Sequence, residues 1–456
     1  MSKKKLPIVA IVGRANVGKS SLFNAVLERR EAIVANEPGT TRDSIMAKAS
    51  LWDGRKEQNF WIVDTAGIKD PEDDFEFTIQ EQITQAADSA DVIIVMTEVG
   101  TVVTEEDRRV AKMALKSKKP VILVANKLDK YRGKDQSHLQ KLGIKPIFAT
   151  SVTQSRGIDD LLEHLVEILP KATMIEADDR IRIAILGRPN VGKSALFNSL
   201  AKKQQAVVAD RAGTTRDVNR IPIKYQGREI ELLDTAGIRR SGKIEKGIEK
   251  FSVIRSLAAI EQADVCLLLL DANELHVQLD QRIAGLIKEA GKGLVLVVSK
   301  WDSIEKDPFT RDQMAPRIAD DYDFVPWAPL IFTSSVTGQN VTKLFDIALA
   351  IDARRQTVIK TTELNRWLRG VINKHPPAGL KNRNPKLNYI VQEDDNPDPS
   401  FKVFGAHTKF LHWSYKRFME RSLREAYDFE GTPIRFWFIE KADRHKHGES
   451  PTKKEK

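Results

Sequence analysis

Cysteine is nearly absent. The one residue, Cys266, lies inside an apolar run, so the chain can form no internal disulfide and the thiol reads as a small buried hydrophobe. Long hydrophobic stretches are absent too. Runs such as Val265 to Leu270 are far shorter than the roughly 18 residues that cross a bilayer, and they read as buried strands. The start, Ser2-Lys3-Lys4-Lys5 followed directly by a strand, lacks the apolar core and small-residue cleavage site of a secretory signal, so a cytoplasmic location is expected. Metal-ligand spacing is missing among the eight histidines, and His445 and His447 sit in a charged tail. With 41% hydrophobic and 30% charged residues, the composition is that of a folded globular chain.

Charge is present in excess but unevenly. Residues 355–456 hold 21 Lys+Arg against 13 Asp+Glu, a net of +8 out of the chain's +10. Such a segment suits a polyanionic partner, with a solvated, solubilising surface as the plainer alternative.

The 456 residues allow about three domains at roughly 100–200 residues each, and the sequence repeats itself. Gly13-Arg14-Ala15-Asn16-Val17-Gly18-Lys19-Ser20 returns as Gly187-Arg188-Pro189-Asn190-Val191-Gly192-Lys193-Ser194. Gly39-Thr40-Thr41-Arg42-Asp43 returns as Gly213-Thr214-Thr215-Arg216-Asp217, and Asp64-Thr65-Ala66-Gly67-Ile68 as Asp234-Thr235-Ala236-Gly237-Ile238. Asn126-Lys127-Leu128-Asp129 returns as Ser299-Lys300-Trp301-Asp302. The offsets, 174, 174, 170 and 173, indicate duplication of a whole domain.

Each half alternates continuous apolar strands with amphipathic stretches, which predicts α/β domains whose mostly parallel sheet carries helices on both faces. The expected strands are Ile8–Val12, Phe60–Asp64, Asp91–Met96 and Val121–Ala125, then Ile181–Leu186, Ile230–Asp234, Val265–Leu270 and Leu294–Val298. The divisions are residues 1–170, an exposed polar linker 171–180, a second domain 181–354, a small α+β unit 355–440 and a charged, disordered tail 441–456. In the third unit, Thr361 or Thr362 is placed to cap a helix. The order reads helix, strand (Leu387–Val391), strand (Phe401–Phe404), helix (around Tyr415 to Ala426), strand (Ile434–Phe438).

A Gly-x4-Gly-Lys-Ser loop between strand and helix cradles phosphates: glycines let backbone N–H groups turn inward and the helix N-terminus adds its dipole. Lys19 and Lys193 are expected to reach the β- and γ-phosphates, and Ser20 and Ser194 to offer hydroxyls to Mg²⁺. Asp64 and Asp234 suit a water-mediated Mg²⁺ contact, Gly67 and Gly237 a backbone contact to the γ-phosphate, and Thr41 and Thr215 a second hydroxyl ligand to Mg²⁺ in loops that the γ-phosphate orders. Asp129 and Asp302 each offer a carboxylate to guanine's N1–H and exocyclic amine, a pair adenine lacks, which points to GTP.

With these motifs placed, the chain closely resembles the EngA/Der family of bacterial tandem GTPases over residues 6–440. The resemblance extends to Asp234–Arg240, Glu249-Lys250-Phe251-Ser252-Val253-Ile254-Arg255 and Ser414-Tyr415-Lys416-Arg417-Phe418. It implies two P-loop GTPase domains followed by a KH-like domain, GTP hydrolysis, and a role in late assembly of the large (50S) ribosomal subunit with contacts to its rRNA. The chain is expected to be a monomer and to act away from membranes. The resemblance also implies that Asn16 and Asn190 coordinate an activating K⁺, since Ile68 and Ile238 stand where many GTPases carry a water-orienting glutamine; loop bracing by the two asparagines is the alternative.

Departures accompany the resemblance. Ala15 replaces the usual proline, and Ser151-Val152 and Ser334-Ser335 replace a Ser-Ala pair in the last guanine-contacting loop. Ser299 replaces asparagine and is expected to bridge base and phosphate loop less well. The third unit has no Gly-x-x-Gly loop, so sequence-specific single-strand binding is not expected of it. A GTP-sensing scaffold at a membrane or division site is the competing reading, opposed by the lack of a basic amphipathic helix or lipidation signal. A tRNA-modification GTPase shares the asparagine-containing loop, and the deeply placed Cys266 argues against that chemistry.

Overall fold

The computed structural model describes residues 3–28, 46–52, 57–65, 83–131 apart from 85, 87 and 88, 137–170, 173–175, 180–203, 219–234, 253–379 apart from 306, 383–393 and 398–440. Its first strand is β1 (Lys3–Lys5). The first repeat follows with β2 (Ile8–Gly13), β3 (Met46–Trp52), β4 (Glu57–Asp64), β5 (Val92–Glu98), β6 (Val121–Asn126) and β7 (Ile147–Ala149), hydrogen-bonded in the order β3-β4-β2-β5-β6-β7. All neighbours are parallel except the β3–β4 edge pair. β2 shows why both faces are covered. Ile8, Ala10 and Val12 enter one buried cluster, while Val9 and Ile11 enter another on the opposite face. The helix Glu105–Lys116 covers the first face through Val110, Ala111 and Ala114, and Ile158–Ile168 covers the second through Leu161 and Leu165.

After β8 (Thr173–Ile175) the architecture repeats. β9 (Ile181–Leu186), β10 (Asn219–Tyr225), β11 (Arg228–Asp234), β12 (Val265–Asp271), β13 (Gly293–Ser299) and β14 (Leu330–Phe332) pair as β10-β11-β9-β12-β13-β14, with only β10–β11 antiparallel. Every strand expected in the two repeats is present: β9 has the expected bounds, β5 runs one residue later at its start and two at its end, and the others are slightly longer. The linker is more than an exposed connector: β8 pairs antiparallel with β1, Lys3 facing Ile175, so the connector takes up backbone hydrogen bonds at both ends of the first domain.

The third unit is the helix Thr361–Lys374, β15 (Lys386–Glu393), β16 (Ser400–Ala406), the helix Trp413–Ala426 and β17 (Arg435–Glu440), the element order read from sequence. Neither Thr361 nor Thr362 caps the first helix. Lys360 holds the N-cap position, and both threonines lie inside the first turn. Leu364, Leu368, Tyr415, Met419 and Leu423 close over one face of the three-stranded sheet.

Two contacts fix the domains. Leu294 N donates to Gly431 O (2.9 Å) and Gly431 N to Trp327 O (2.7 Å), joining the third unit to the second domain by backbone bonds. Gly431 has φ +77°, and a Cβ there would overlap Ile351, so the close approach requires glycine. Between the two GTPase-type domains, Glu261 accepts from Trp61 Nε1 (2.6 Å) and Leu6 N (3.2 Å), beside a buried cluster that runs from Trp61 and Ile83 to Leu257 and Cys266. The Cys266 thiol is fully buried, which pushes its pKa up to about 12. Among the described residues no helix is long and apolar enough to cross a membrane.

Candidate functional site: two phosphate loops and their base motifs

In each domain the first parallel strand ends in the phosphate loop, and the next helix begins at its lysine, Lys19 or Lys193. Three left-handed or wide-open backbone positions turn each loop: Gly13, Asn16 and Gly18 (φ +152°, +63°, +100°), and Gly187, Asn190 and Gly192 (φ +142°, +62°, +96°). Glycine suits the outer two, and asparagine tolerates the middle one better than most residues. Lys19 Nζ donates to Gly13 O and Arg14 O, both at 2.7 Å, and Lys193 Nζ to Arg188 O at 2.5 Å. Burial lowers the Lys19 pKa against the opposing pull of Asp64 and Glu106. Ala15, Asn16, Asn190 and Ser194 are exposed, Pro189 half-buried, and Val17 and Val191 fix their loops in the core.

Ser20 Oγ donates to Asp64 Oδ2, so the phosphate-loop hydroxyl and the Asp-x-x-Gly carboxylate meet. Thr65 Oγ1 anchors the end of β4 to Ile11 O at 2.7 Å. Asp234 ends β11 as Asp64 ends β4. Thr41, Ala66, Gly67, Ile68, Thr215, Thr235, Ala236, Gly237 and Ile238 lie outside the described residues.

The base motifs sit at the ends of β6 and β13. Asn126 Nδ2 donates to Val17 O (2.9 Å), and its Oδ1 accepts from Thr150 Oγ1 and Val152 N (both 3.2 Å). It thereby ties the phosphate loop to the loop that follows β7. Ser299 reaches the phosphate loop as well, Oγ to Val191 O at 2.7 Å, with Leu270 O at 3.0 Å. The expectation of a weaker bridge is therefore corrected on its phosphate-loop side: the serine is long enough. The difference lies elsewhere. One hydroxyl proton faces two carbonyls, and among the described residues the tie that Asn126 makes to the last loop has no counterpart at Ser299. The space differs too: a Cβ on Gly18 would overlap the Asn126 amide, whereas one on Gly192 meets nothing within 4 Å.

Lys127 and Lys300 both take left-handed backbone (φ +69° and +54°) and pair with an acid at the end of the neighbouring strand, Glu98 at 3.2 Å and Asp271 at 2.6 Å. Burial would raise the Asp271 pKa, but Lys300 and Asn273 outweigh it and hold it low. Leu128 N and Trp301 N bond the same loop carbonyl, Thr150 O and Thr333 O. Asp129 accepts from Ser151 Oγ (2.5 Å), which lowers its pKa and keeps it ionised. Asp302 is exposed, and Ser334 Oγ instead accepts from Thr337 N.

One part of the network was not read from sequence. Arg14 donates to Thr101 Oγ1 (3.0 Å) and faces Asp107 (3.5 Å), and Arg188 binds Glu274 (2.6 Å) and Asp280 (3.0 Å). The repetition of Arg14 as Arg188 and of Asp107 as Asp280 was the available signal. Burial pushes the Asp280 carboxyl up to about 7, against the pull of Arg188.

The family model described as 50S ribosome-binding GTPase matches this chain twice, at residues 8–127 and 182–300. The model described as the C-terminal KH-domain-like region of EngA bacterial GTPase enzymes matches residues 359–438. The chain is 44% identical over 438 residues to a GTPase Der from Chloroflexus aggregans, covering 94% of this chain and 96% of that one. It is 42% identical over 438 residues to a GTPase Der from Herpetosiphon aurantiacus, covering 94% and 95%. Two phosphate loops, two base motifs and a KH-like third unit recur in one order, and the chain belongs to the EngA/Der family of bacterial GTPases.

Proposed function

We propose that this GTPase acts in assembly of the large ribosomal subunit, with both nucleotide sites binding GTP through the residues described above. The observation that supports this best is the combination of two phosphate loops with a basic third unit joined to the second GTPase domain by backbone hydrogen bonds at Gly431. Nucleotide state at the second site then acts on a surface suited to RNA phosphates.

In each site the loop lysine and inward backbone amides hold the phosphates, and Asp129 or Asp302 selects guanine. The Ser20–Asp64 pair presents hard oxygens at the first helical turn, which fits Mg²⁺, with Thr41 completing the set and Ser194, Asp234 and Thr215 its counterparts. Mg²⁺, when bound, neutralises charge on the β- and γ-phosphate oxygens. Isoleucine after Asp-x-x-Gly cannot orient water, so rate enhancement rests on charge stabilisation. Asn16 and Asn190 are exposed at left-handed positions of the two phosphate loops, and the hard amide oxygen of each suits K⁺.

Sedimentation of the full chain with large-subunit particles tests the reading. Association stronger with a non-hydrolysable GTP analogue than with GDP, and falling steeply with salt, is expected. Equal sedimentation in both nucleotides, or none, contradicts it.

A further inference from the structure

The two domains differ at one corresponding place, beside the phosphate-loop arginine. In the second domain the space between the end of β12 and the following helix is closed by the helix Thr310–Asp321. A cavity of only about 10 Å³ remains, lined by Glu274, Asp280 and Asp321 together with His276, which faces Asp321. In the first domain a short 3₁₀ turn, Ser137–Leu142, takes that position and leaves about 300 Å³. Residues 100–103 form one wall, and among the described residues Arg108, His138 and Lys141 supply the charged or titratable lining, with Glu105 outside it at 3.7 Å from Arg108. Arg108 stands where the second domain has Gln281. Val102 is 87% exposed at the rim.

A cavity with an apolar wall and basic groups matches a ligand with one flat apolar body and one anionic group. An unpaired nucleotide is such a ligand, its base entering the cavity and its phosphate meeting Arg108 and Lys141. The volume is at the low end for small-molecule sites, about 300 Å³, enough for one base with its backbone left outside. The wall is also wired to the GTP site. Thr101 accepts from Arg14 of the phosphate loop, and Glu98, at the end of the adjoining strand, accepts from Lys127 (3.2 Å) and Tyr131 (3.2 Å) of the base motif segment. We infer that this first-domain cavity binds an unpaired RNA nucleotide. The inference rests on the ribosomal reading for the identity of that RNA and on the cavity alone for its chemistry.

The test uses the full chain. Cys266 is buried and its thiol is pushed up to about 12, so Val102→Cys provides a unique reactive thiol for a short photo-crosslinker. Irradiated on purified large-subunit particles, the labelled protein is expected to mark rRNA at a few adjacent unpaired nucleotides. Adding Arg108→Ala and Lys141→Ala is expected to cut those adducts about tenfold, while co-sedimentation persists and ribosome-free GTP turnover is unchanged. Co-sedimentation with adducts only on ribosomal protein, or with RNA adducts indifferent to Arg108 and Lys141, overturns the inference. If the protein does not co-sediment, the ribosomal reading fails, and a random single-stranded oligonucleotide decides the cavity. Adducts that depend on Arg108 and Lys141 uphold it, and their absence overturns it.

Discussion

The two nucleotide sites share a backbone and differ in the side chains that brace it. Both loops turn through the same three positive-φ positions, both loop lysines bond a carbonyl of their own loop, and both base-motif lysines pair with an acid one strand away. Yet Asn126 joins three segments, whereas Ser299 joins the phosphate loop and its own sheet. The arginine brace diverges likewise. Asp107 completes a capping box with Thr104 while facing Arg14. At the second site Val277 stands at the cap and offers no hydroxyl, and among the described residues one Asp280 oxygen is buried without a hydrogen-bond partner. Duplication preserved what the phosphates require of the main chain and let the support diverge.

The largest expected effect removes what the sites share. Lys19→Ala with Lys193→Ala should lower GTP hydrolysis by about 100-fold or more, each single variant removing its own site's part. Wild-type turnover in the double variant would break the comparison at its root. Next comes base choice: Asp129→Asn and Asp302→Asn should each weaken GTP binding at their own site by about 100-fold, because an amide turns one of the two acceptor oxygens that guanine's donors need into a donor. A competition assay against xanthosine triphosphate would show the change.

Cation dependence tests the middle of the loops. Hydrolysis should run about tenfold or more faster in KCl than in NaCl at equal ionic strength, and Asn16→Ala with Asn190→Ala should abolish the difference. Equal rates with nucleotide binding confirmed would remove K⁺ from the account.

A pH effect separates the two braces. The Asp280 carboxyl rises from its ordinary 3.8 to about 7 on folding. Its proton is thus held more tightly in the folded state, and stability from this group is full below the ordinary carboxylate range and lost as pH rises through 7. Arg188 and Glu274 act on the same carboxyl in opposite senses. Asp280→Asn should flatten this slope in urea unfolding followed between pH 5 and 8, while Asp107→Asn leaves it in place. An unchanged slope in Asp280→Asn would contradict the assignment.

Much of this was legible in the sequence because phosphate binding is written in local motifs and a parallel sheet in continuous apolar strands. β9 falls where the sequence put it, and the third unit has the expected element order. The edge strands β3 and β10 were not read, since Met46–Trp52 mixes buried and half-buried positions irregularly and Asn219–Tyr225 carries Pro222 at a sheet edge. The pairing of β1 with β8, and of Trp61 with Glu261, joins residues far apart in the chain that no local pattern announces. At Ser299 length was the wrong criterion: the hydroxyl reaches Val191 O, and the loss is of an acceptor for the last loop.

The smallest effect tests the central claim most directly. Nucleotide titrations of the full chain, with the opposite site disabled by Lys193→Ala or Lys19→Ala, compare the two base motifs in place. Losing one neutral hydrogen-bond bridge costs about 1 kcal/mol, so the second site should bind GDP several-fold more weakly than the first. Asn126→Ser should lower the first site to match, and Ser299→Asn should raise the second, since the space beside Gly192 is open to the larger side chain. Equal affinities in both sites, unmoved by exchanging Asn126 and Ser299, would contradict the claim that side-chain bracing distinguishes them.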